Sequence, residues 1–321
     1  MRILLTGGAG FIGSHLTEEL IKLGHTVTVL DDFSTGSLLN LDAIRNSPFL
    51  KLSEGSILDK EVLAELINTN DYVFHLAAAV GVFNIVNNPL GSLITNVRGT
   101  ENVLALANDS RIPVLLTSSS EIYGKNTSKS LKESDDRILG SPTTLRWSYS
   151  EAKAIDESLT HSYHLQYGLE TRIVRFFNTV GPRQLGTYGM VIPRFIEAAL
   201  KDEPINIYGD GNQTRCFAHV FDVVEALLKV AFSKNTVGKV VNIGNDFEIS
   251  IKDLAETIVR ETNSKSKIIY IPYVEAYGSG FEDMERRVPN IDLINQLVGW
   301  KPTRNLTTII SDIATEMKGK F

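Results

Sequence analysis

Tyr149 and Lys153 stand four residues apart in the run Arg146-Trp147-Ser148-Tyr149-Ser150-Glu151-Ala152-Lys153. At that spacing they share one face of a helix, where an ammonium close to a phenol stabilises the phenolate and lowers its pKa. A tyrosine so placed serves as a general base, which its ordinary pKa of about 10 does not allow. The pair alone arises easily by chance, and an exposed helical pair is the ordinary reading. The run Thr117-Ser118-Ser119-Ser120-Glu121-Ile122-Tyr123-Gly124, directly after an apolar stretch, lifts it above that. A hydroxyl there can share a hydrogen bond with the substrate oxygen that Tyr149 deprotonates.

A second motif opens the chain. Gly7, Gly10 and Gly13 follow Arg2-Ile3-Leu4-Leu5-Thr6 in a G-x-x-G-x-x-G spacing. Glycines there allow a tight turn and close approach of backbone to a pyrophosphate, and the helix that follows offers free N–H groups and a positive dipole. A glycine turn also simply joins strands to helices, but here the next apolar run ends in Leu30-Asp31-Asp32, about 20 residues on, where a carboxylate binds ribose hydroxyls. Asp31 also repels a ribose phosphate and no arginine follows it directly, so NAD is expected over NADP. For Asp32 a solvated turn residue is nearly as good a reading. A dinucleotide site and a proton-transferring tyrosine together imply hydride chemistry.

Elements that would position these residues can be read from the patterning. Short apolar runs at Arg2–Leu5, Thr26–Leu30, Tyr72–Leu76, Val114–Ser118 and Thr171–Phe177 alternate with helical patterns at Ile12–Leu23, Lys60–Asn68, Pro89–Asn108 and Tyr149–Tyr167. That alternation predicts an α/β fold with a doubly wound parallel sheet, the Rossmann arrangement. After Phe177 the rhythm changes, and a smaller α/β substrate lobe is expected. The division predicted is a dinucleotide-binding domain over 1–178 and a substrate lobe over 179–321, with some segments returning to the first domain. Its predicted elements are helices over Met190–Leu200, Val220–Phe232 and Ile251–Glu261 and strands near Ile205–Tyr208 and Val240–Gly244.

Composition narrows the class. The 321 residues, 43% hydrophobic and 22% charged, are ordinary for a globular enzyme, and the net charge of −6 argues against a nucleic-acid surface. No apolar stretch reaches the roughly 20 residues that span a bilayer, the start does not read as a signal peptide, and a cytoplasmic protein is expected. Cys216 is the single cysteine and the six histidines show no metal-ligand spacing, so no metal is expected.

Taken together, the chain resembles an extended short-chain dehydrogenase/reductase of the nucleotide-sugar epimerase and dehydratase group. The resemblance runs through Gly7–Gly13, His75-Leu76-Ala77-Ala78, Asn96-Val97-Arg98-Gly99-Thr100, Ser119, Tyr149 and Lys153. It implies Ser119 as hydroxyl partner, Tyr149 as base and then acid, and Lys153 as ribose contact and tyrosine tuner. It implies an NAD site over Gly7, Gly10, Phe11, Ile12, Gly13, Asp31, Asp32, Leu76, Ala78, Asn96, Tyr149 and Lys153. Ser56 stands where the family often has an aspartate for adenine.

For a UDP-sugar substrate, the run Tyr208-Gly209-Asp210-Gly211-Asn212-Gln213-Thr214-Arg215 resembles the family's diphosphate segment. Arg215 and Arg287 suit a diphosphate through their planar forks. Tyr208 is a uracil-stacking candidate, Gln213 lies in the same segment, and Gly81, Val82 and Asn178 are expected near the sugar. Arg286 reads as a surface ion pair. Family analogy also implies a homodimer through the helices Pro89–Asn108 and Tyr149–Tyr167.

The reaction is less sharply defined. Serine at 120 lacks the acid that the family's dehydratases use. Glu121, with Arg287, keeps decarboxylation of UDP-glucuronate open. The run Ala77-Ala78-Ala79-Val80-Gly81-Val82-Phe83 has the form of epimerases, and Arg183 could meet a C6 carboxylate or be a plain surface residue. The leading expectation is therefore a UDP-glucuronate 4-epimerase, then a UDP-glucuronate decarboxylase, then a UDP-glucose 4-epimerase, with a non-enzymatic NAD-binding protein well behind. Oxidation of a glucuronate at C4 gives a β-keto acid, which loses carbon dioxide when the breaking bond stands perpendicular to the carbonyl plane. A 4-epimerase must prevent that alignment.

Overall fold

The structure, a computed structural model, describes residues 1–81, 87–186, 190–272, 275 and 286–319. Its first half runs β1 (Arg2–Thr6), α1 (Phe11–Lys22), β2 (Thr26–Asp31), β3 (Leu50–Glu54), α2 (Lys60–Asn68), β4 (Tyr72–His75), α3 (Pro89–Asp109), β5 (Val114–Ser119), α4 (Ser148–Tyr167) and β6 (Thr171–Phe176). There follow β7 (Thr179–Val180), α5 (Val191–Leu200), β8 (Ile205–Tyr208), β9 (Thr214–Cys216), β10 (Ala218–His219), α6 (Val220–Phe232), β11 (Val240–Ile243), β12 (Glu248–Ser250), α7 (Ile251–Thr262), β13 (Ile268–Ile271), α8 (Asp292–Val298) and α9 (Leu306–Lys318).

Seven strands form one parallel sheet in the order β11-β6-β5-β4-β1-β2-β3. The chain reverses direction across the sheet at β1 and β4, which creates a crevice at the carboxyl ends of those strands. Buried apolar residues from β1, β2, α1 and α6 make one layer with Trp300, and those from α2 and α3 make the layer on the opposite face. A separate core joins α5, α7 and α9 to β8.

Local chemistry sets the element ends. Asp59 accepts from the N–H groups of Glu61 and Val62 to open α2, and Asn88 caps α3 with Pro89 in its first turn. Gly168, at φ +69°, closes α4 in the left-handed conformation. The patterning missed β3, because an edge strand with exposed Lys51 and Glu54 carries no continuous apolar run. It also missed α8, α9 and the short strands β7, β9, β10, β12 and β13.

Segments from the second half pack on the large sheet: β11 pairs with β6, and α6 lies against α1. Asp222 of α6 is fully buried, and its carboxylate accepts from the Thr303 and Arg304 backbone, the Thr303 hydroxyl (2.9 Å) and the Arg304 guanidinium (2.5 Å). Trp300 Nε1 donates to the Asp222 carbonyl at 3.0 Å. This aspartate fixes the approach to α9. Asp222→Ala is expected to lower stability by roughly 2–4 kcal/mol, read as a lower urea midpoint with an unchanged m-value.

Candidate active site

A cavity of about 460 Å³ lies at the carboxyl ends of β1, β2, β4 and β5. Gly7, Gly10, Phe11, Ile12 and Gly13 line it, together with Asp31, Asp32, Leu76, Ala78, Tyr149 and Lys153. A Cβ on Gly7 would stand 2.7 Å from the Ala77 nitrogen, and one on Gly13 2.1 Å from the Gly7 carbonyl oxygen. Gly7 also has φ +73°. Only glycine permits this close turn, and no side chain caps the amino end of α1 behind it. The arrangement fits a dinucleotide pyrophosphate.

Asp31 is 7% exposed and accepts from the Ala9 and Phe33 N–H groups, each at 2.9 Å. Burial pushes its carboxyl up; the two backbone bonds oppose the shift and the Asp32 charge adds to it. Asp32 is exposed and accepts from the Ser34 N–H and hydroxyl, closing its own turn, although it also borders the cavity. Asn96 does not line the cavity. It accepts from the Ala79 N–H at 2.7 Å and donates back to the Ala79 carbonyl, so it shapes the wall through Ala79. Val82 lies outside the described residues.

Ser119, which does not itself line the cavity, lies beside the hydroxyl of Tyr149, which does, and accepts from the Glu121 N–H at 3.2 Å, the cap of the helical turn Ser120–Tyr123. The tuning expected of Lys153 needs correction. Tyr149 is shifted up, first by burial and then by the charges of Glu121 and Asp156, and Ser119 only opposes this. Lys153 Nζ donates to Asp156 Oδ2 and to the Thr117 carbonyl, both at 3.2 Å, so a carboxylate compensates its charge.

Glu121 sits between two guanidinium groups. Arg287 Nη1 lies 2.8 Å from Oε1 and Arg146 Nη1 2.5 Å from Oε2, and Arg287 also donates to the Ser120 hydroxyl at 3.3 Å. Burial alone would raise this carboxyl; the charges of Arg287 and then Arg146 outweigh it and hold the group at about 2. Glu121 and Arg146 are partly buried and Arg287 is buried. The sequence reading missed Arg146, whose only signal was its place one helical turn before Tyr149.

The remaining substrate candidates do not all converge here. Arg183 is turned away, paired with Glu18 of α1 at 2.5 Å and bonded to Ser14, while its N–H donates to Glu316. It therefore joins α1 to α9. Tyr208 carries the Arg194 guanidinium 4.4 Å from its ring centroid, and Gln213 donates to the Tyr208 carbonyl. Arg215 is buried and donates to the Thr214 carbonyl, and Asn178 donates to the Cys216 carbonyl. None of these borders the dinucleotide cavity, and Gly81, at φ +96°, only follows its wall at Val80. Arg286 pairs with Glu248 at 2.7 Å. Among the described residues no cluster could hold a metal ion, and no helix is long and apolar enough to cross a membrane.

A doubly wound sheet with a glycine cradle and a Ser–Tyr–Lys set at its carboxyl edge defines an NAD-dependent enzyme of the extended short-chain dehydrogenase/reductase class. The chain belongs to the NAD-dependent epimerase/dehydratase family, which its residues 3–244 match. It is 44% identical over 303 residues to a UDP-N-acetyl-alpha-D-glucosaminuronate decarboxylase of Bacillus cytotoxicus, covering 94% of this chain and 92% of that one. It is 36% identical to UDP-glucuronic acid decarboxylase 1 of Xenopus tropicalis, covering 94% of this chain and 68% of the relative. Its fold matches UDP-glucuronic acid 4-epimerase from Bacillus cereus, solved with UDP-glucuronic acid and NAD, at a TM-score of 0.89 and 27% identity over the full length of both.

Asp31→Ala is expected to weaken NAD binding about 10- to 100-fold, the loss of one charge-assisted contact, measured by calorimetry on nucleotide-free protein. Unchanged affinity would move the ribose contact elsewhere.

Proposed function

We propose that this chain is an NAD-dependent decarboxylase of a UDP-uronate, with UDP-N-acetylglucosaminuronate as first substrate and UDP-glucuronate as second. The observation that carries this reading is the Glu121 carboxylate bonded by Arg287 and Arg146 beside Ser119 and Tyr149. The names of the relatives at 44% and 36% identity support it further. Arg183, the cation expected near a sugar carboxylate in the 4-epimerase reading, is paired with Glu18, which weighs against that reading. What still favours it is the form of the run that begins at Ala77 and the fold likeness to the Bacillus cereus enzyme.

Bound NAD supplies the hydride acceptor and donor for C4. Ser119 holds the 4-hydroxyl for Tyr149, which takes its proton as the alcohol becomes a ketone. The C6 carboxylate is then β to that ketone. Arg287, bonded to Glu121 and the Ser120 hydroxyl, is the guanidinium that receives this carboxylate. The C5–C6 bond breaks, its electron pair passes into the C4 enolate, carbon dioxide leaves, and C5 takes a proton. Tyr149 returns its proton to the C4 oxygen when the ketone is reduced.

With UDP-N-acetylglucosaminuronate and no added nucleotide, proton NMR should show loss of C6 and growth of the corresponding pentose. Tyr149→Phe should reduce this by about three orders of magnitude or more without loss of folding. Conversion to a C4 epimer with C6 intact would reject the proposal, and unreduced activity in the phenylalanine variant would reject the base.

A further inference from the structure

A row of buried polar groups runs beneath the cavity from β1 to α4. The Ala77 N–H donates to Thr6 Oγ1, which lies 2.8 Å from His75 Nδ1, and His75 Nε2 lies 3.1 Å from Thr100 Oγ1. Thr100 in turn lies beside Asp156, whose Oδ2 is 3.2 Å from Lys153 Nζ. Asp156 is fully buried, and Thr6, His75, Thr100 and Lys153 are exposed by no more than 2%. The acid/base reaction at Tyr149 does not itself require a carboxylate at this depth. Burying one is costly unless it is paired, and an apolar side chain would fill the space without that cost.

We propose that Asp156 is a positioning residue for the acid/base pair, clamping the Lys153 ammonium against the Thr117 carbonyl and withholding its charge from the Tyr149 phenol. An ammonium has three donors, and two of them are fixed by these contacts, so the side chain has one orientation at the cavity that it lines. The charged groups around the phenol are few. Glu121 faces it from the turn after β5, already bonded by Arg287 and Arg146, and Lys153 and Asp156 face it from its own helix. Glu157, the next charge beside Asp156, is held by Arg175 of β6 at 2.7 and 2.9 Å. His75 of β4 is neutral, pushed down to about 3 by burial and by the Lys153 charge. The charges of Glu121 and Asp156 both raise the phenol's pKa, after burial.

The proposal rests on Tyr149 being the base, which a decarboxylase and a 4-epimerase share, and not on the fate of the sugar carboxylate. The test is fluorine NMR of the NAD-loaded protein with difluorotyrosine in place of tyrosine and no sugar present, the Tyr149 signal being assigned by its loss in Tyr149→Phe. Asp156→Asn should lower the Tyr149 titration midpoint by about one pH unit, as expected for removal of a charge two helical turns away. The acid limb of the pH–kcat profile should move the same way, with KM for the sugar unchanged. Asp156→Ala makes the same test if the asparagine variant does not fold. A midpoint that stays put, including with a uniform fall in kcat at every pH, would reduce Asp156 to a structural residue and overturn the proposal. Because the midpoint is read without substrate, an error in the sugar assignment leaves this result intact.

Discussion

The site depends on a partly buried carboxylate held by two guanidinium groups. Glu121 belongs to the turn that follows β5, Arg146 to the residues that lead into α4, and Arg287 to the segment before α8. A carboxylate at this depth without its cations would be strongly unfavourable, so the three segments must come together for the site to fold. Arg146 thereby fixes the start of the helix that carries Tyr149 and Lys153. Arg287 ties the C-terminal part of the chain to the carboxyl edge of the sheet.

A second constraint lies on the opposite side of Tyr149. The glycine turn brings backbone to within contact of the loop after β4, and the polar row under that loop fixes it from below through Thr6 and His75. The dinucleotide cradle and the acid/base pair are therefore parts of one network. His75 serves it as a neutral bridge between two hydroxyls. The second-half elements α6 and β11 complete the large sheet's packing, with Asp222 securing the chain that follows Trp300.

Features carried by local spacing were legible in the sequence: the glycine turn, the tyrosine–lysine pair, the carboxylate ending β2 and the strands of the large sheet other than β3. Side-chain partners were not, because partners distant in sequence decide them. Arg183 sits in a loop where a substrate contact was as plausible as a surface position, and Glu18 of α1 claims it. The expected lowering of the Tyr149 pKa followed from two residues on one helix face, whereas burial first, and then the charges of Glu121 and Asp156, raise it. The weight given to the run at Ala77 illustrates the same limit: it is a local pattern, whereas Glu121, Arg146 and Arg287 meet only in three dimensions.

The most direct test of the account is to run the reaction to completion on a UDP-uronate in heavy water and examine C5 of the sugar by NMR. Decarboxylation replaces the lost carboxylate with a proton from solvent, so the account predicts a pentose carrying one deuterium at C5. A product that retains C6 and its original C5 hydrogen, with only C4 inverted, would contradict it.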